Sequence, residues 1–191
     1  MKESEKVMPT KTAVNSNRLY MMILCAIFAA IIAVATFIQV PLPFTPVPIT
    51  LTFLAVYLAG GLLGPKYGTI SVVVYILIGA IGIPVFSGFR GGIGVLAGAT
   101  GGYIVGYIAM VLIIGLILGS NRNPSTARLI IATVSGSIAC YIFGTAWFMI
   151  LMKVGLLEAL SMCVFPFLLG DLLKLITAVL LIKVLRKRIP I

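Results

Sequence analysis

The sequence predicts an all-α integral membrane protein with six transmembrane helices and both termini in the cytoplasm. Three observations predict this class. Hydrophobic residues make up 61% of the chain and charged residues 9%, whereas soluble domains are about 25% charged. Apolar runs fill nearly the whole chain, which leaves room for about six spans of roughly 20 residues and for no sizeable soluble domain. The basic residues cluster at the ends of these runs.

The chain divides into a cytoplasmic tail, residues 1–17, and a single transmembrane domain, residues 18–191. The tail is polar without an apolar core, so we expect it to be disordered or to lie along the membrane surface, and not to be a signal peptide. The predicted spans are residues 19–40, 49–63, 69–83, a glycine-rich fourth helix that ends near Leu118, 129–151 and 163–185.

Composition also excludes several classes of function. The net charge of +10 does not indicate nucleic-acid binding, because that function needs a solvated basic face with stacking aromatics. The chain has no His, and its Cys residues are scattered without Cys-x-x-Cys spacing, so we expect no metal site and no cofactor. Gly92 and Gly94 form a Gly-x-Gly, but the Gly-Lys-Ser/Thr of a phosphate-binding loop is absent from the sequence.

Small residues form a stripe on the first predicted helix. Two overlapping Ala-x-x-x-Ala pairs let another helix approach closely. The residues of this stripe are Ala26, Ala29, Ala30 and Ala33. Their spacing leaves open whether the partner helix belongs to this chain or to another protein.

The segment between the first two spans, residues 40–48, carries four alternating prolines and no charge. Proline fixes φ and lacks an N–H donor, so this segment is predicted to be an extended, stiff loop. Because the loop is apolar, with Phe44 at its tip, we expect it to fold back over the protein as a lid; a rigid connector is the alternative. The next connection, after the second span, is a predicted tight turn at residues 64–68.

A glycine-rich stretch follows the third span and includes Ser87 and Arg90. Such dense glycine in a membrane protein indicates close backbone approach or irregular structure beside a covered cavity. Four of its glycines have a four-residue spacing that gives the fourth helix a smooth packing face. They are Gly94, Gly98, Gly102 and Gly106.

The last span carries an acid and a base at membrane depth. Asp171 and Lys174 are three residues apart, so a helix places them on one face, close enough to pair. An ionisable residue at this depth costs about 2.5–3.5 kcal/mol, so it commonly contacts a cavity or a partner. A polar ligand held by both residues and a structural ion pair between helices are both consistent with the pattern. Trp147, near the end of the fifth span, is either an interfacial anchor or a pocket residue.

The Lys and Arg residues predict the orientation. With six spans, the chain ends and the turns around Lys66 and Arg122 share one side, which collects most of the 14 Lys and Arg residues. The opposite side holds Arg90 and Lys153 with the loop predicted at residues 152–162. The positive-inside rule therefore places both termini in the cytoplasm. The proline-rich loop, Arg90 and the start of the sixth helix then meet at the outer face.

These outer groups are predicted to form one pocket. The positive charges of Arg90 and Lys174 and the negative charge of Asp171 sum to +1. A ligand with one carboxylate would neutralise this charge. The planar guanidinium of Arg90 suits a carboxylate, and an ionised Asp171 accepts N–H donors.

Four motifs together resemble the BioY family, the biotin-binding substrate (S) components of energy-coupling-factor (ECF) vitamin transporters. The motifs are the proline-rich stretch 41–50, the segment 63–68, the glycine-rich stretch 91–103, and the stretch 166–174 with Pro-Phe and Gly-Asp-Leu-Leu-Lys. The resemblance implies a six-helix S component that binds biotin from outside and docks on a transmembrane coupling subunit driven by two ATP-binding subunits. It also implies that the alanine stripe faces that external partner.

The expected substrate-binding residues are Phe44, Ser87, Arg90, Tyr103, Trp147, Asp171 and Lys174. The expected site of action is the prokaryotic plasma membrane. A stand-alone secondary transporter for biotin or another small carboxylate is the alternative. We expect no enzymatic activity, since Asp171 and Lys174 have no third catalytic group nearby except Arg90 and no metal set.

Overall fold

The computed structural model describes residues 11–188, with side chains from residue 18 onward. The described part is mostly helical, as predicted. Its elements, in chain order, are α1 (Lys11–Phe37), β1 (Gln39–Val40), β2 (Ile49–Thr50), α2 (Thr52–Ala80), α3 (Ile93–Leu96), α4 (Gly101–Leu118), α5 (Thr126–Met152), α6 (Leu156–Cys163) and α7 (Leu168–Leu185). Helix α1 includes residues 11–17, which the prediction places in the tail; residues 1–10 lie outside the described range.

Within the described residues, four helical segments are long and apolar enough to cross a membrane. They are Arg18–Phe37, Thr52–Ala80, Gly101–Leu118 and Thr126–Met152. Helix α7 is as long as the third of these, 18 residues, but it carries Asp171, Lys174 and Lys183 among its apolar residues. The chain is therefore a multi-pass membrane protein, and the count of six crossings stays a prediction.

Helix α2 is broken at Gly64, whose backbone (φ 73°, ψ −174°) is not helical. This φ favours glycine, and Pro65 then begins the second half of α2, where its missing N–H leaves no helical bond unmade. A Cβ added at Gly68 would lie 2.8 Å from the carbonyl oxygen of Ala59, although these residues would be about 13 Å apart in a straight helix. The chain therefore reverses its direction here. The observed turn is shorter than the predicted turn at residues 64–68, because only Gly64 has a non-helical backbone.

Helix α4 lies between α2 and α5, and glycines allow α5 to approach it closely. A Cβ added at Gly102 would overlap an α5 side chain, and one added at Gly106 would lie 3.1 Å from the sulfur of Cys140. The predicted packing role is confirmed for these two glycines. Gly94 and Gly98 precede α4, so the glycine packing face of α4 is shorter than the four-glycine face that was predicted.

The last helix begins later than the predicted span 163–185. Helix α6 ends at Cys163 and α7 begins at Leu168, because Pro166 lacks an N–H and restricts the residue before it. Helix α6 includes Glu158, in a segment that was predicted to be a loop.

Arg186 joins helix ends on one side of the bundle. Its side chain is fully buried; Nη1 donates to the Gly61 carbonyl at 2.9 Å, and Nη2 donates to the Gly119 carbonyl. Gly61 is near the end of the first half of α2, and Gly119 caps α4. The guanidinium thus donates to carbonyls near two helix C-termini, and its positive charge stabilises the negative ends of the two helix dipoles. These ends and the end of α7 therefore lie on one side.

Candidate ligand-binding site

Asp171 and Lys174 lie near the start of α7 and form the predicted pair. The Nζ atom of Lys174 is 2.6 Å from Oδ1 of Asp171. The two residues are 7% and 8% exposed. Burying an ion pair costs desolvation energy that further hydrogen bonds must offset. Tyr141 of α5 supplies such a bond, because its hydroxyl donates to Oδ2 of Asp171.

The pair contributes to the wall of a cavity of about 60 Å³. The lining residues are Thr36, Val47, Pro48, Thr50, Thr52, Phe53, Tyr75, Ser87, Thr100, Tyr103, Ile104, Tyr107, Tyr141, Cys163, Phe167, Asp171 and Lys174. Four of the predicted binding residues, Ser87, Tyr103, Asp171 and Lys174, are therefore brought together. The wall is mostly apolar and aromatic, and the acid–base pair supplies its charge.

Several hydroxyl groups of the wall bond to one another. Thr52 donates to Oγ1 of Thr36 at 3.0 Å, and Thr36 also pairs with the Tyr75 hydroxyl at 3.2 Å. The Tyr103 hydroxyl lies 3.3 Å from Oγ1 of Thr145. Because Asp171 and Lys174 are charged, they are the strongest hydrogen-bonding groups that this wall offers to a ligand.

The proline-rich loop folds back and forms part of the cavity wall, as predicted for a lid. Strands β1 and β2 pair antiparallel, with Gln39 opposite Thr50, which brings the ends of the loop together. Val47 is buried and lines the cavity with Pro48. A rigid connector alone would not explain this buried contact.

Arg90 lies outside the cavity, in an adjoining vestibule. This outer space is lined by residues of the proline-rich loop together with Gln39, Ser87, Gly88 and Arg90. Nε of Arg90 donates to the Ser87 carbonyl at 3.1 Å, and the Ser87 hydroxyl donates to Oε1 of Gln39. Ser87 and Pro48 line both spaces, so the vestibule and the cavity adjoin there.

Phe44 and Trp147 are not among the residues that line the cavity. Phe44 is 53% exposed at the tip of the loop, and Trp147 is 41% exposed. The Trp147 indole donates to the Gly98 carbonyl at 3.0 Å and so joins α5 to the segment before α4. This position fits an interfacial anchor. The predicted contact of both residues with a ligand rests on the sequence alone.

The alanine stripe of α1 has two sides. Ala29 is buried in the core, whereas Ala26 and Ala30 are exposed. These residues and the half-buried Ala33 line a shallow apolar groove between α1 and the second half of α2. Ala26 and Ala30 are thus available to an external helix, and Ala29 packs within the chain.

The sequence did not indicate several cavity residues, above all Tyr141, Thr52 and Tyr107. Each lies in an apolar helix without a neighbouring charge. A polar residue at a helical spacing from the cavity-facing positions is the signal that could have found them.

The chain is similar to known proteins in both sequence and fold. The BioY family model matches residues 6–191. The biotin transporter BioY of Thermotoga maritima is 40% identical over 167 residues, which are 87% of this chain and 95% of the relative. The probable biotin transporter BioY of Pyrococcus horikoshii is 38% identical over 158 residues, 83% of this chain and 91% of the relative.

A solved structure is also similar. It is the crystal structure at 2.1 Å of the S-component for biotin from an ECF-type ABC transporter, with a TM-score of 0.81 and 33% sequence identity. The match covers 91% of this chain and 94% of that chain. The predicted family resemblance is therefore confirmed by family, sequence and fold together: the chain belongs to the BioY family.

Proposed function

We propose that the chain binds biotin at the outer face of the prokaryotic plasma membrane, as the substrate-specificity subunit of an ATP-driven ECF importer. One observation carries the proposal: a largely apolar cavity, roofed by a stiff loop, holds a buried acid and base that are hydrogen-bonded to each other. The names of the relatives and of the solved structure support biotin as the ligand and transport as the activity. The chain is accordingly a transport protein and not an enzyme.

The chemistry of biotin matches the cavity. Its ureido group offers two N–H donors and one carbonyl acceptor, and the rest of its ring system is apolar. Asp171 can accept the N–H groups, and Lys174 can donate to the ureido carbonyl. Phe53, Ile104 and Phe167 offer apolar surface to the ring system.

The biotin carboxylate would then point toward the vestibule. Arg90 is exposed there and has guanidinium N–H groups beyond its bond to Ser87. A bound carboxylate would neutralise the single positive charge that Arg90, Lys174 and Asp171 leave together. We therefore assign the ureido end to the acid–base pair and the carboxylate end to Arg90.

The proposed topology has six crossings with both termini in the cytoplasm. The reversal at Gly64 divides α2 into two antiparallel halves, and α7 supplies the sixth crossing. The contacts of Arg186 bring the reversal in α2 together with the C-terminal ends of α4 and α7, and Lys66 lies just after the reversal. This side has the excess of basic residues that the positive-inside rule requires of the cytoplasm.

The proposed coupling face is the exposed side of α1. Ala26 and Ala30 lie there beside an apolar groove, and small residues permit a partner helix to approach closely. The partner would be the transmembrane coupling subunit, which carries two ATP-binding subunits.

Calorimetry on the purified protein in lipid nanodiscs tests the binding function. We expect one biotin to bind per chain and to raise the unfolding temperature; absence of both effects would refute biotin as the ligand. Uptake of labelled biotin by cells with and without the coupling subunits then tests the role as a subunit. Undiminished uptake without those subunits would instead identify a stand-alone transporter.

A further inference from the structure

Tyr141 lies against the acid–base pair, although nothing in its sequence environment indicates a role. Its hydroxyl donates to Oδ2 of Asp171, while Oδ1 accepts from Lys174. We propose that Tyr141 is a positioning residue that fixes the Asp171 carboxylate as the acceptor for the ligand. This role deepens the proposed function and rests on it for the identity of the ligand.

The two bonds to Asp171 come from different helices. Lys174 belongs to α7, as Asp171 does, whereas Tyr141 belongs to α5. One bond at each oxygen fixes the plane of the carboxylate, which a single bond at Oδ1 would leave free to rotate. Each oxygen keeps a second lone pair, so a ligand N–H group meets an acceptor whose direction is already set. Ordering the acceptor before binding removes an entropic cost from the binding step.

Tyr141 is itself held in place. Its ring lies 5.7 Å from the ring of Phe53, which also lines the cavity. At the inner end of the same two helices, Nζ of Lys183 donates to Oγ1 of Thr126 at 2.8 Å. The bond from Tyr141 to Asp171 therefore joins α5 and α7 in the outer half, about 22 Å along α5 from Thr126.

The position of the bond explains why it is needed. Tyr141 and Asp171 line the ligand cavity and also a second space, a nearly apolar groove between α5 and α7. A carboxylate oxygen that turned toward that groove would lose hydrogen-bond partners at a large free-energy cost. The Tyr141 hydroxyl donates to Oδ2 between the cavity and the groove, and so keeps the Asp171 carboxylate directed toward the cavity.

The first test is a double-mutant cycle on biotin affinity, measured by calorimetry. Tyr141→Phe removes only the hydroxyl, and we expect it to weaken biotin binding about tenfold. In the Asp171→Asn background the same change should weaken binding less than about threefold, because the charged acceptor that Tyr141 positions is gone. Equal losses in both backgrounds would overturn the proposal, since Tyr141 would then act independently of Asp171.

Tyr57→Phe is the matched control. Tyr57 is a fully buried tyrosine whose hydroxyl pairs with Oγ of Ser137 at 2.6 Å, and it is not among the cavity-lining residues. We expect it to leave biotin affinity unchanged. An equal loss of affinity for Tyr57→Phe and Tyr141→Phe would assign both effects to helix packing and would overturn the positioning role.

A second measurement needs no ligand. The chain has four Asp and Glu residues, so an infrared difference spectrum between wild type and Asp171→Asn isolates the Asp171 carboxylate band. Tyr141→Phe should shift that band, and Tyr57→Phe should not. An unshifted band overturns the positioning role whether or not biotin binds. A shifted band in a protein that binds no biotin would keep the positioning role and reject the proposed ligand.

Discussion

Replacing Asp171 by Asn separates a ligand-binding pair from a purely structural one. The change keeps the shape of the side chain but removes its charge, which Lys174 contacts at 2.6 Å. It also turns one oxygen into an NH₂ group, which cannot accept from the ligand or from Tyr141. The buried Lys174 is then left without its counter-charge. The variant is therefore expected to lose both biotin affinity and stability.

The two losses have different magnitudes. Losing a hydrogen bond to a charged acceptor costs about 1.5–3 kcal/mol, which weakens biotin binding roughly ten- to a hundredfold. Removing one member of a buried ion pair costs about 3–5 kcal/mol of folding stability. Replacing both members by neutral residues avoids the uncompensated charge, so Asp171→Asn with Lys174→Met should recover most of the stability.

Calorimetry for affinity and thermal unfolding in the same nanodiscs for stability are the two assays. We expect the double variant to regain stability but to bind biotin at least as weakly as Asp171→Asn does, because both polar contacts to the ureido group are gone. A double variant that regains both stability and wild-type affinity would refute the reasoning. The pair would then be structural only.

Three further changes test other parts of the protein. Ala26→Leu with Ala30→Leu should leave biotin binding intact and abolish uptake through the coupling subunits; loss of binding as well would make the stripe an internal packing seam. Arg90→Gln should weaken biotin binding up to about fivefold, as expected for an exposed ion pair, and spare a biotin methyl ester; equal losses would limit Arg90 to positioning its loop. Arg186→Met should cost about 3 kcal/mol of stability by removing the partner of the Gly61 and Gly119 carbonyls, measured as a lower unfolding temperature, whereas a comparable loss for the exposed neighbour Lys187→Met would contradict that reason.

Local patterns predicted much of the site. Asp171 and Lys174 pair because their spacing brings them to one face of a helix, a relation that holds in any helical environment. The prolines likewise excluded a helix between the first two spans. The apolar composition of this loop predicted that it folds back over the protein, where it lines the cavity. These predictions depend on residues that are near one another in the chain.

Contacts between distant segments were less predictable. Tyr141 meets Asp171 from another helix, and the sequence alone does not set how α5 is rotated about its axis. The same limit applies to Ala29, which shares a stripe with Ala26 but is turned into the core. Trp147 was predicted to be either an interfacial anchor or a pocket residue; its indole donates to the backbone before α4, because the close glycine contacts of α4 and α5 fix its position.

Helix α1 connects the proposed coupling face to the cavity. Ala30 lies on its exposed side, and Thr36, about 9 Å further along the same helix, lines the cavity and bonds to Thr52 and Tyr75. The loop that roofs the cavity begins just after this helix ends. Because one helix bears both surfaces, a ligand that displaces α1 through Thr36 also displaces the proposed coupling face. By thermodynamic reciprocity, a coupling subunit that prefers one position of α1 must then change the affinity for the ligand.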